Sequence, residues 1–91
     1  MRVSIKAFAT FRNILGKERF VEIVEGEDIT DLLNALCNSF GELRDLLFDD
    51  SELKDDVNIL INGRNIQALN GIQTKLEDGD ELALFPAAIG G

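Results

Sequence analysis

The 91-residue sequence contains no histidine, a single cysteine and a single proline. Without histidine the commonest general base and metal ligand is missing, and every Ser-His or Cys-His pair goes with it. The lone Cys37 forms no internal disulfide, builds no structural metal site by itself and suits a reducing compartment. Basic residues are also scarce, nine against seventeen acidic, for a formal net charge of −8. Such a charge repels phosphate backbones and anionic lipid, so neither nucleic acid nor a membrane is an expected partner; a protein with a basic face is. No apolar run approaches the roughly 20 residues of a membrane-spanning helix. Phosphate-cradling GxxxxGK[ST] and GxGxxG loops are absent. The opening MRVSIKAFA alternates like a strand and lacks the layout of a secretory signal, which makes the cytoplasm the expected location.

What remains is an ordinary globular composition, 45% hydrophobic and 29% charged, in a length that supports one domain. A chain of this size buries roughly 60 to 70% of its unfolded surface. From residue 3 to 9, Val3, Ile5 and Ala7 alternate with Ser4, Lys6 and Phe8, the period of a strand with one face in the core. TFRNILG reads as a connection turning at Gly16, and ERFVEIVE as a second strand that closes an antiparallel hairpin. Ile29, Leu32, Leu33, Leu36 and Phe40 recur at helical spacing, with Asp28 or Thr30 as N-cap and Gly41 near the end. Leu43, Leu46 and Leu47 suit a second short helical segment, after which DDSELKDD reads as an exposed loop.

VNILI is a buried type of strand, and Asn62-Gly63 after it predicts a tight hairpin turn whose two central residues have positive φ. RNIQAL reads as the return strand, EDGD as a turn, and ELALFP as a last strand stopped by Pro86. Two strands, a main helix and two or three more strands make an α+β domain, with the helix on one face of a mixed sheet. This is the β-grasp order, in which the first and last strands lie side by side in the middle. Residues 1–86 are expected to form the domain and 87–91 a flexible tail.

Few residues are candidates for chemistry. Cys37 lies where the helix's core stripe meets its flank, with no cation or helix N-terminus apparent to activate it, and reads as structural. The acidic loop lacks the glycine and the oxygen-ligand spacing of a calcium site, so no metal is expected. The ending FPAAIGG is different. Gly90 and Gly91 have no Cβ, so their backbone fits a channel too narrow for any side chain. From Pro86 to Gly91 an extended chain reaches about 20 Å, enough to enter a buried site on another protein.

FATFRNILG after the first strand, ILINGRNI at the central hairpin and LEDGDELALFP leading into IGG together resemble the small subunit of molybdopterin synthase. That family lies among the ubiquitin-like sulfur carriers and modifiers, and the resemblance spans nearly the whole chain. It implies that an ATP-dependent, E1-like activating enzyme adenylates the Gly91 carboxylate and that a sulfur donor then converts it to a thiocarboxylate. The tail, Ala87, Ala88, Ile89 and Gly90, would thread into the large synthase subunit, where sulfur passes to a pterin precursor of the molybdenum or tungsten cofactor. On this reading the chain is a carrier and cosubstrate with no catalytic groups and no bound cofactor of its own. ATP belongs to the activating enzyme.

Two features set the chain apart from the family pattern. Ala87 stands where family tails carry a second proline, and the stretch from 41 to 56 is longer than in compact bacterial members. Extended versions of similar proteins occur in archaea, some of them conjugated to lysines through the same glycine. A protein modifier, a thiamine-pathway sulfur carrier and a noncovalent interaction domain therefore stay beside the molybdopterin reading. Strand parity puts Phe8, Leu60 and Phe85 on the face opposite the helix; with Pro86 they form the expected partner-binding patch beside the tail's exit.

Overall fold

The computed structural model describes residues 1–86. Alternation in the first residues makes β1 (Arg2–Ala7), with Val3, Ile5 and Ala7 buried. It pairs antiparallel with β2 (Glu18–Glu22), which sets Val21 opposite Val3 and Arg19 opposite Ile5. The connection between them is not the simple turn that the sequence predicts. Thr10–Leu15 form a helix, α1, because Phe11 and Leu15, four residues apart, fall on one side and insert into the core. The second strand ends at Glu22, short of the expected ERFVEIVE.

The main helix, α2 (Ile29–Ser39), starts at Asp28, which resolves the choice between the two candidate caps. Asp28 accepts from the Asp31 amide at 2.9 Å, and the Asp31 carboxylate accepts from the Asp28 amide at 3.0 Å. This reciprocal pairing satisfies two amides that a helix start otherwise leaves open. Ile29, Leu32, Leu33, Leu36 and Cys37 are buried in one core with the inward residues of the sheet. A five-residue helix, α3 (Leu43–Leu47), follows.

The acidic stretch is more ordered than an exposed loop. Phe48–Asp49 (β3) and Glu52–Leu53 (β4) pair antiparallel around Asp50 and Ser51. The apolar pair Phe48 and Leu53 lies on one side of this small ribbon, and Phe48 is buried in the main core while the acidic residues stay in water.

β5 (Asn58–Ile61) buries Ile59 and Ile61 and turns back through Asn62 at φ 51° and Gly63 at φ 83°, the two positive angles that the Asn-Gly pair predicts. The return strand β6 is only Arg64–Asn65. The expected six residues fall short because Asn65 caps a 3-10 turn, Ile66–Ala68, that rolls Ile66 into the core. β7 (Glu81–Phe85) completes the sheet in the order β2-β1-β7-β5-β6. β7 runs parallel to β1 and antiparallel to β5, so the first and last strands do lie together at the centre.

Candidate functional site

The site is the end of the sheet where β7 runs out, and its position is fixed at the other end of that strand. Asp80 is buried; its carboxylate accepts from Asn62 Nδ2 at 2.9 Å and from the Glu77 amide at 2.7 Å. Asn62 Oδ1 in turn accepts from the Glu81 amide at 3.0 Å. On the other flank Asp78 accepts from the Arg2 amide at 2.8 Å, and the Gly79 amide donates to the Arg2 carbonyl at 2.8 Å. The EDGD turn thus ties the start of β7 to both neighbouring strands before the ladder begins. The ladder then holds it on both edges, from Ser4 to Ala7 on one side and from Ile61 to Asn58 on the other. The Phe8 amide donates to the Leu84 carbonyl at 3.1 Å, extending the grip on the β1 side to the penultimate residue of the strand.

Because side chains alternate across a strand, Leu82 and Leu84 enter the core while Ala83 and Phe85 face outward. Lys6, Ala83 and Leu60 occupy one cross-strand row on that outer face. Phe8 and Phe85 stack in the next position, ring centroids 4.4 Å apart and planes 5° from parallel. Such a pair contributes about 0.5–1.5 kcal/mol beyond its area. Phe8, Leu60, Phe85 and Pro86 are all half-buried. The strand parity that the sequence predicts for this patch therefore holds, and the four residues sit more deeply than an exposed patch would. The remaining site residues expected from the sequence, Ala87, Ala88, Ile89, Gly90 and Gly91, lie outside the described residues.

Two further residues lie on this side of the sheet. Phe20 lies opposite Ser4 on the same outer face and is 62% exposed, with the Arg2 guanidinium 5.9 Å from its ring centre. Arg12, carried by α1, places its guanidinium 5.2 Å from the Phe8 ring centre while its Nε donates to the Ala7 carbonyl at 3.0 Å. The signal for Phe20 was available in the pairing of ERFVE with RVSIK; the signal for Arg12 depends on a helix that the sequence does not announce. Cys37 is buried, and that burial raises its thiol pKa above the usual value, with Arg44 opposing in part. It is remote from thiolate chemistry.

A mixed five-stranded sheet with parallel terminal strands at its centre, sharing its core with one capped helix, defines a ubiquitin-like β-grasp protein. The ThiS family profile matches residues 5–91, and the chain belongs to that family of ubiquitin-like sulfur carriers and modifiers. It is 36% identical over 92 residues to small archaeal modifier protein 3 of Haloferax volcanii, covering 100% of both chains. A protein of Archaeoglobus fulgidus named for a sulfur-carrier role is 36% identical over 71 residues, 75% of this chain and 81% of that one. A solved structure from Pyrococcus furiosus, described as subunit 1 of a molybdopterin converting factor, superposes with a TM-score of 0.74 at 29% identity, covering 96% of this chain and 98% of the other.

Proposed function

We propose that this chain carries sulfur on its last residue, for the biosynthesis of molybdopterin in the cytoplasm. The observation that supports this most directly is the position of β7: a strand held on both edges ends at Phe85, at the rim of an aromatic patch, and AAIGG follows Pro86. In this reading residues 1–86 dock and residues 87–91 react. An oxygen of the Gly91 carboxylate attacks the α-phosphate of ATP on an activating enzyme and releases pyrophosphate. Hydrosulfide then attacks the acyl carbon, displaces AMP as the leaving group and leaves a thiocarboxylate. Ala87, Ala88 and Ile89 span the approach to a partner's buried site, and Gly90 passes its narrowest point because it has no Cβ. Phe8, Leu60, Phe85 and Pro86 hold the body of the domain against the activating enzyme and, later, the large synthase subunit. The Pyrococcus furiosus likeness supports the molybdopterin assignment.

Intact-mass measurement of the chain after incubation with its activating enzyme, ATP and a sulfur donor tests the proposal. Exchange of one terminal oxygen for sulfur is expected, and a Gly91 deletion is expected to stay unmodified. An activating enzyme that works on another substrate yet leaves this chain without adenylate or sulfur overturns it.

The full-length likeness to small archaeal modifier protein 3 favours a second reading, in which the same acyl-adenylate ends as an isopeptide bond on a lysine. Gly-Gly remnants on lysines of other proteins, present in wild-type cells and lost on deletion of this chain, are the result that reading expects. Their absence leaves the carrier reading alone.

A further inference from the structure

The nine basic residues of this acidic chain are not spread evenly. Lys6, Arg12 and Lys17 converge with Phe8 and Glu18 on a recess of about 290 Å³ beside the stacked phenylalanines. Lys6 makes a 3.4 Å ion pair with Glu81, half of its side chain remaining exposed. Lys17 has no ion-pair partner among the described residues, and Arg12 uses only its Nε, which donates to the Ala7 carbonyl. That bond and the Phe8 ring, whose centre lies 5.2 Å from the guanidinium carbon, hold the group in place, and its two terminal nitrogens make no hydrogen bond among the described residues.

From this geometry we infer that the recess receives a carboxylate side chain of the tail-processing partner, held in a two-bond fork by Arg12 while the partner's neighbouring apolar surface covers Phe8 and Phe85. The inference rests on the docking role proposed above for that face. A terminal guanidinium edge matches a carboxylate, and a pre-oriented guanidinium loses little freedom on binding. The charge balance points to a carboxylate in preference to phosphate. Three cations share the rim with Glu18 and Glu81, which leaves a small local surplus of positive charge, suited to one negative charge and opposed to a dianion. The chain's net charge of −8 further disfavours a polyanion. Whole-molecule charge therefore calls for a basic partner, and the rim of the tail's exit calls for an acidic contact within it, a reversal that fixes orientation as well as attraction.

The test is equilibrium binding of the full chain to the activating enzyme of the same organism, across a series of sodium chloride concentrations. Arg12→Gln is expected to weaken binding roughly 10- to 100-fold and to flatten the salt dependence, since a charge-assisted fork is lost. Leu60→Ala, on the same face and away from the recess, reads the apolar docking role separately; thermal melts establish that both variants fold. Weakened binding in both supports both statements. Normal affinity and salt dependence in Arg12→Gln beside weakened Leu60→Ala overturns the carboxylate recess and spares the docking face. Normal binding in both overturns the two together, and weakened Arg12→Gln with normal Leu60→Ala upholds the recess without the apolar patch. Inorganic phosphate serves as the counter-probe: if it perturbs the Arg12 Nε–H resonance and blocks the enzyme where chloride of equal ionic strength does not, the recess is a phosphate site and the carboxylate assignment falls.

Discussion

Ala9 joins β1 to α1 at φ 52° and ψ −126°, a conformation that an L-residue with a Cβ adopts at a cost of about 1–2 kcal/mol. Glycine relieves that strain but gains freedom in the unfolded chain, so Ala9→Gly is expected to raise stability by about 0.5–1 kcal/mol in urea unfolding. The strain sits one residue from Phe8 and three from Arg12, so it lies at the turn that sets both beside the end of β7. At Cys37 the sign of a pH effect is fixed by burial. Its folded pKa is raised above the ordinary 9.0, so the folded chain keeps the thiol neutral where the unfolded chain ionises it. The stability this contributes is complete below about pH 9 and is lost as pH rises through the raised value. Melting temperatures from about pH 8 to 11 should fall more steeply for the wild type than for Cys37→Ala.

Elements differ in how openly the sequence declares them. The inward faces of β1 and β5 are legible because Val3, Ile5, Ala7 and Ile59, Ile61 alternate without interruption. In α2, Ile29, Leu32, Leu33 and Leu36 recur at helical spacing behind an Asp cap, and the helix begins where they say, while Phe40, which the same spacing includes, falls just past its last residue, Ser39. By contrast α1 offers only Phe11 and Leu15, one turn's worth of signal, and an isolated turn is unstable; the core selects it. β3 and β4 are two residues each, and their charged neighbours hide the buried Phe48. The candidate site divides likewise: Phe8, Leu60 and Phe85 follow from parity, whereas Arg12 depends on the unannounced helix and Phe20 on the pairing register. For β7 the decisive residue is Asp80. Asp80→Ala leaves Asn62 Nδ2 and the Glu77 amide without their acceptor and is expected to cost about 1–3 kcal/mol. Hydrogen exchange at residues 81–83 should rise more than the global loss alone requires, which locates the defect at the root of the strand.

At the scale of the whole molecule, seventeen acidic residues on a 91-residue chain repel one another, and only two ion pairs form among the described residues. Both are exposed, and such pairs contribute little. Screening should therefore stabilise the protein: its melting temperature is expected to rise as sodium chloride is added from low ionic strength, where the Debye length is about 30 Å, and to level off as it shrinks to about 10 Å. A flat or falling curve would show that the favourable pairs outweigh the repulsion. The parallel alignment of β1 and β7 carries a mechanical consequence as well. A pull on the chain beyond Phe85 runs along the axis of a strand gripped by β1 and β5 together, so its hydrogen bonds are loaded in shear, all at once, and not peeled one after another. An enzyme drawing on that end would meet the sheet in its most resistant direction, and could tug, release and tug again without unravelling the domain it holds.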